Sequence, residues 1–178
     1  MTIYLQNPEK TQIIVFDNEY QIGVGFINWI KLTQDEITQY LLKEAKNKKQ
    51  KELDAYYSNN ECWTFKVFTN DANPTVKGIY ASLTRDADFF AKVIPASLGK
   101  TMIILDDKNQ PIQYFLDATK GQNLNYKINN QNSTAIRYKK VELANEILLA
   151  NNIISVNNIN IVKELQDAVS REINLDEI

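Results

Sequence analysis

Hydrophobic positions change rhythm along this chain, and each rhythm predicts a different element. Residues 3–5 are a short apolar run, and Asn7-Pro8-Glu9-Lys10 supplies turn chemistry after it. Residues 12–16 are a second run rich in β-branched and aromatic side chains, stopped by Asp17-Asn18. Tyr20, Ile22, Val24 and Phe26 then alternate with Gln21, Gly23 and Gly25, the period-2 pattern of a half-buried strand. Gly23 and Gly25 mark a bulge or a close backbone approach there. A phosphate-cradling loop would need a helix directly afterwards, and the pattern supplies none. Residues 1–32 are therefore expected to form a small antiparallel β unit.

Thr33-Gln34-Asp35-Glu36 has the spacing of a capping box, in which residues 33 and 36 exchange side-chain bonds to each other's backbone N–H. It predicts a helix over 34–56, with Ile37, Tyr40, Leu41 and Ala45 on one face and Leu53 and Tyr56 resuming it. Lys48, Lys49 and Lys51 sit among carboxylates and amides and read as a solvated face. The segment 33–57 links the β unit to the remainder, 58–178.

In that remainder, 62–68 reads as a strand with Trp63, Phe65 and Val67 on one side and Cys62, Thr64 and Phe68 on the other. Thr84 is placed to cap a short helix carrying Phe89, Phe90 and Val93, which Pro95 would end. Residues 101–105 and 112–116 flank a long polar turn and predict a β-hairpin. A second hairpin is expected from 123–129 and 134–138. The fold class is α+β: the β unit, a linking helix, then antiparallel hairpins packed with helices and a long C-terminal helical segment.

From about Lys140 the period becomes helical, with Val141, Ala144, Ile147 and Leu148 in a first stripe and Ile161, Leu165, Ala168 and Val169 in a later one. Neither Pro nor Gly occurs in 140–178, so a continuous helix is open to the chain. In that case Ile147, Asn151, Ile154, Asn158, Ile161, Leu165 and Ala168 form one seam with alternating spacings of 4 and 3. Asparagines in such a seam cost stability and fix register and oligomer state, so these residues are candidate homo-oligomer contacts. The alternative is two helices, Asn157 or Asn158 capping the second, with apolar faces packed on the sheet. Asn174-Leu175-Asp176-Glu177 resembles the cap and first turn of one more helix.

Composition narrows the chemistry. The chain has 178 residues, 44% hydrophobic and 24% charged, enough for a buried core, and a net charge of −2 that favours neither nucleic acid nor an anionic membrane. No apolar run approaches the ~20 residues of a membrane span, and the first residues lack a leader's basic-then-apolar layout, so cytoplasmic synthesis is expected. There is no histidine, the commonest general base and metal ligand. Cys62 stands alone, which excludes an internal disulfide and a cysteine-rich zinc site. Carboxylate or lysine chemistry is what remains. Asp86/Asp88 and Asp106/Asp107 are the tight acidic pairs, and Asp106, Asp107 and Asn109 lack the glycine and distal glutamate of a calcium loop. No catalytic residue, cofactor or metal is predicted.

The order of elements over 33–178 is similar to an uncharacterised domain family that recurs in phage tail-fibre and tail-fibre-assembly proteins. The resemblance lies in Leu32-Thr33-Gln34-Asp35-Glu36, the Lys/Glu-rich stretch 42–53, an aromatic strand and Thr84-Arg85-Asp86 before a short helix. It continues in Val141-Glu142-Leu143-Ala144-Asn145-Glu146-Ile147 leading to Leu165-Gln166-Asp167-Ala168. The β unit before a Lys/Glu-rich helix also looks like the start of tail-fibre assembly proteins. The chain departs from the pattern at 97–118, where a hairpin is inserted, and in its Asn-rich closing segment. The resemblance implies a tail component or assembly helper of a phage or prophage. Such a protein would bind tail-fibre or baseplate chains and carry no catalytic residues; as a tail component, though not as an assembly helper, it would end in a virion tail. A phage-encoded inhibitor of a host defence enzyme is the other function this size and charge suit.

Overall fold

Ile3 and Leu5 lie on one side of strand β1 (Ile3–Gln6), and both are buried while Tyr4 and Gln6 are half-exposed. The computed structural model describes residues 2–68, 79–80, 91, 93–105 and 111–178. Strand β2 (Ile13–Phe16) pairs antiparallel with β1 from Ile3↔Phe16 to Gln6↔Ile13, and β3 (Ile30–Lys31) pairs antiparallel on the other edge. Asn7 closes the β1–β2 turn, its Oδ1 accepting from the N–H groups of Thr11 and Gln12 at 2.8 and 2.9 Å.

The expected strand over 20–26 does not form. Glu19–Gln21 and Val24–Phe26 are 3₁₀ turns, and Tyr20 is fully exposed. The aromatic rings take over there: Phe26 packs edge-to-face on Phe16 and on Trp29, with centroids 5.2 and 5.1 Å apart. Alternation alone makes a strand only where a partner can cover one face. Helix α1 (Gln34–Tyr57) starts at the expected capping box, with the Thr33 N–H donating to Glu36 Oε2 at 2.8 Å and the Glu36 N–H to Thr33 Oγ1 at 3.3 Å. Its apolar face is buried only near the far end, at Leu53.

Strand β4 (Thr64–Phe68) buries Phe65 and Val67 as predicted, with the preceding 3₁₀ turn Asn60–Trp63 burying Cys62 and Trp63. It is the middle of a mixed sheet, antiparallel to β5 (Ile79–Tyr80) and parallel to β8 (Glu172–Asn174), where Val67 faces Ile173. The segment expected to begin a last helix is thus a strand and a turn. Ile173 and Leu175 reach the core only by adding to the free edge of β4.

Strands β6 (Thr101–Leu105) and β7 (Pro111–Phe115) form the first predicted hairpin, with Thr101↔Phe115 and Leu105↔Pro111 as the ends of the register. Its turn, with Asp106, Asp107 and Asn109, lies outside the described residues, as do Thr84, Asp86, Asp88, Phe89 and Phe90. Pro95 sits in the first turn of helix α2 (Ile94–Ser97), where its missing N–H costs little, and the helix expected to carry Phe89 and Phe90 before it lies outside the described residues.

The second hairpin is replaced by helix. Helix α3 (Ala118–Asn125), a π-helical segment (Tyr126–Asn132) and helix α4 (Ser133–Leu149) follow one another without a break. Leu124, Ile128, Asn132 and Ile136 are all buried at a constant spacing of four. In an α-helix each step of four overshoots one turn by roughly 40°, so such a run would spiral off the core. The wider π turns keep it on one face. Ser133 secures the junction, its Oγ donating to the Ile128 carbonyl at 2.8 Å.

Past α4 the chain turns twice. Helix α5 (Ile153–Asn158) is capped by Asn152, and helix α6 (Ile161–Asp167) by Asn160. The single continuous helix is not formed, and neither Asn157 nor Asn158 is the cap. Asparagine oxygens accepting from the Ser155 and Lys163 N–H groups, at 2.8 and 3.1 Å, end the helix without Pro or Gly. The main core gathers Leu53, Phe65, Val67, Leu124, Ile136, Leu143, Leu165 and Ile173, which joins α1, the β4 sheet and the closing helices.

Candidate interaction surfaces

The two breaks scatter the predicted seam. Ile147, Ile161 and Leu165 are buried in the main core, Ala168 is half-buried beside it, and Asn151, Ile154 and Asn158 are exposed. Ile154 lies on α5 at 73% exposure while Ile161, expected beside it, is 5% exposed on α6. One stripe of seven contacts does not exist in this protomer.

A different apolar surface does. Helix α4 turns Ile136, Leu143 and Ile147 inward, and its opposite side shows Tyr138 at 74%, Val141 at 59% and Leu148 at 67% exposure. The first helical stripe expected from the sequence therefore splits: Ile147 goes to the core, whereas Val141 and Leu148 face solvent. Tyr138 was hidden from the sequence reading by the expected strand. The signal that exposes it is a helix carrying two apolar stripes instead of one.

Neighbouring helices flank this face. On the α1 side, Lys140 Nζ bonds Asp54 Oδ1 at 2.7 Å and lies 4.4 Å from the Tyr57 ring centre. That bond holds the Asp54 carboxyl below its usual range. On the α6 side, Lys139 bridges Glu164 at 3.0 Å and Glu142 at 3.3 Å, and the two carboxylates, Glu164 first, raise its ammonium above the usual lysine value. A groove of about 510 Å³ runs there between α4 and α6, lined by Ala135, Tyr138, Glu142, Glu164, Asp167 and Ala168. Lys46 from α1 donates to the Leu148 carbonyl at 2.6 Å, placing a cation at the negative end of α4.

A second exposed apolar set lies on the N-terminal unit, at Tyr20, Val24, Ile27 and Ile30. Another groove, of about 580 Å³, runs between α1 and the α5–α6 turn, with Lys49, Glu52, Tyr56 and Asn158 in its wall. Lys49 and Glu52 pair with each other across 2.9 Å.

Cys62 is fully buried, and burial raises its thiol above the ordinary range even though Arg171 stands close by. A thiol so placed is a poor nucleophile. Among the described residues no three His, Cys, Asp or Glu side chains are grouped to hold a metal ion. No described helix is long and apolar enough to cross a membrane. No protein-family model, no curated protein and no solved structure matches this chain.

Proposed function

We propose that this protein is a non-catalytic, phage or prophage tail-associated protein, a tail-fibre component or assembly factor, that works through protein–protein contacts. The observation that carries the contact-making part is the outer face of α4, where three large apolar side chains stand clear of a helix already seated on the core. Large exposed apolar groups on one face mark surfaces that another chain covers. The exposed set on the N-terminal unit adds a second such surface at the other end of α1. The tail assignment rests on the sequence resemblance over 33–178.

The experiment is deletion of the gene from the phage or prophage that encodes it, with electron microscopy of the particles and sedimentation of the purified protein with the purified tail fibre. The reading expects fibre-deficient tails and co-sedimentation. Normally fibred tails and separate sedimentation overturn it. A one-to-one complex with a purified host nuclease, with nuclease activity lost, supports the inhibitor in its place.

A further inference from the structure

We propose that the outer face of α4 docks a second copy of this chain, the two α4 helices lying parallel about a two-fold axis. The proposal rests on the reading of the protein as one that works through contacts, and it names one of the partners.

The exposed positions of α4 have a spacing that its buried positions lack. Thr134, Tyr138, Val141, Asn145 and Leu148 are all exposed, and they follow one another at 4, 3, 4 and 3 residues. That is the a/d spacing of a helix that meets another helix along a seam. Leu143 and Ile136, the residues that anchor α4 to the core, fall at the position diametrically opposite the seam. Helices α1 and α6 flank α4 without covering the seam, so a second helix finds the face open.

Three polar residues select the occupant. With Tyr138 and Asn145 at a positions and Val141 and Leu148 at d, Arg137 falls at g and Glu142 at the e of the following heptad. In a parallel pair of identical helices these two positions face each other across the seam, so each Arg137 meets the other copy's Glu142, twice by symmetry. Glu142 is free to turn, since Lys139 keeps Glu164 at 3.0 Å when Glu142 leaves it. Asn145 meets Asn145 of the second copy, and each amide can donate to and accept from the other. In the antiparallel arrangement that sets Tyr138 opposite Leu148, Asn145 lies against Val141, and e positions flank e positions, so Glu142 meets the other copy's Glu142 and Arg137 meets no carboxylate. None of the three polar groups is then matched.

The seam covers about two heptads, roughly 22 Å of helix. Isolated helices of that length do not hold together in water, because nucleation costs too much. Here the protomer core has already formed α4, and association carries no such cost.

The experiment is sedimentation equilibrium of the purified chain over a hundredfold range of concentration. The wild type is expected to move from monomer to dimer. Val141→Asp and Leu148→Asp are each expected to weaken the dimer at least about tenfold, with circular dichroism unchanged, and with the urea midpoint unchanged at protein concentrations where the wild type is monomeric, since both side chains are exposed in the protomer. Arg137→Glu and Glu142→Arg are each expected to weaken it, and their combination to restore it. Asn145→Cys is expected to form an intermolecular disulfide under oxidation, against a wild-type background in which Cys62 is buried. A wild type that stays monomeric, or a dimer indifferent to Val141→Asp and Leu148→Asp, overturns the proposal. Failure of the double charge exchange to restore binding overturns the parallel arrangement. The chain is measured alone, so a missing dimer leaves the tail assignment standing and a failed tail assignment leaves the dimer standing.

Discussion

Arg171 is bonded to the backbone of Cys62 across 109 residues of sequence, its Nη1 donating to the Cys62 carbonyl at 2.7 Å. The same guanidinium donates from Nε to the Gln166 carbonyl at 3.2 Å and from Nη2 to that of Leu165, and it stacks 5.3 Å from the Phe65 ring centre. One planar cation thus satisfies two carbonyls at the C-terminus of α6 and one before β4, and it carries the chain into β8. Arg171→Leu leaves three acceptors without a donor and is expected to cost ~2–4 kcal/mol in urea unfolding. Arg171→Lys is expected to recover only part of that, because one ammonium cannot reach three diverging carbonyls. Equal stability of wild type and Arg171→Leu would show the bonds to be incidental.

Gly121 is where α3 meets α2. A Cβ there would overlap the Ala96 carbonyl and come within 2.7 Å of the Ser97 nitrogen. These are backbone atoms that cannot step aside, so Gly121→Ala is expected to destabilise by at least ~3 kcal/mol. Gly23→Ala and Gly25→Ala meet nothing within 4 Å and are expected to stay within ~0.5 kcal/mol. Chemical denaturation of the three variants separates close packing from a general intolerance of change.

The ends of the closing helices are held by particular asparagines. Asn152→Ala and Asn160→Ala are each expected to cost ~1 kcal/mol, whereas Asn157→Ala and Asn158→Ala are expected to cost almost nothing. Ile161→Asp puts an unpaired charge at a 5% exposed site and is expected to unfold the chain, while Ile154→Asp, at 73% exposure, is expected to fold normally. The continuous seam would have given Ile154 and Ile161 the same outcome, so circular dichroism of these two variants tests the break directly.

Acid weakens the fold through known groups. The Thr33 backbone and hydroxyl lower the Glu36 carboxyl below its ordinary 4.5, and the bond from Lys140 lowers Asp54 below 3.8. A carboxyl lowered by folding adds stability above its ordinary value, and that stability is lost as pH falls through the lowered one. Stability should therefore decline below about pH 5, and Glu36→Gln should flatten the decline. Lys139, raised by Glu164 and Glu142, acts in the opposite sense. Its contribution is complete below 10.5 and disappears as pH rises through the raised value. An acid limb identical in wild type and Glu36→Gln would show that the capping box does not titrate with folding.

Cys62 offers an internal probe of opening. It is fully buried close to Arg171, and its thiol is raised by burial, so a disulfide reagent is expected to label it only at the rate of unfolding. Labelling should accelerate in Arg171→Leu and stay unchanged in Val141→Asp. Fast labelling of the wild type would mean that the turn at 60–63 opens locally.

What the sequence determined by itself was local. The capping box at Thr33 and Glu36, the strand bearing Phe65 and Val67, the 101–115 hairpin and the α+β class are written in neighbouring residues, whose bonds and alternation need no distant partner. Tertiary structure decided the rest. It sent Ile173 to the edge of β4 in place of a helix, kept the four-residue run from Leu124 to Ile136 on the core by π winding, and chose Asn152 and Asn160 among the many asparagines as caps. It also divided the apolar residues of α4, sending Ile147 inward and leaving Val141 and Leu148 in solvent. A hydrophobic period states that a face will be covered. Whether the protein's own core covers it or another chain does depends on what packs there, and that is a property of the whole fold.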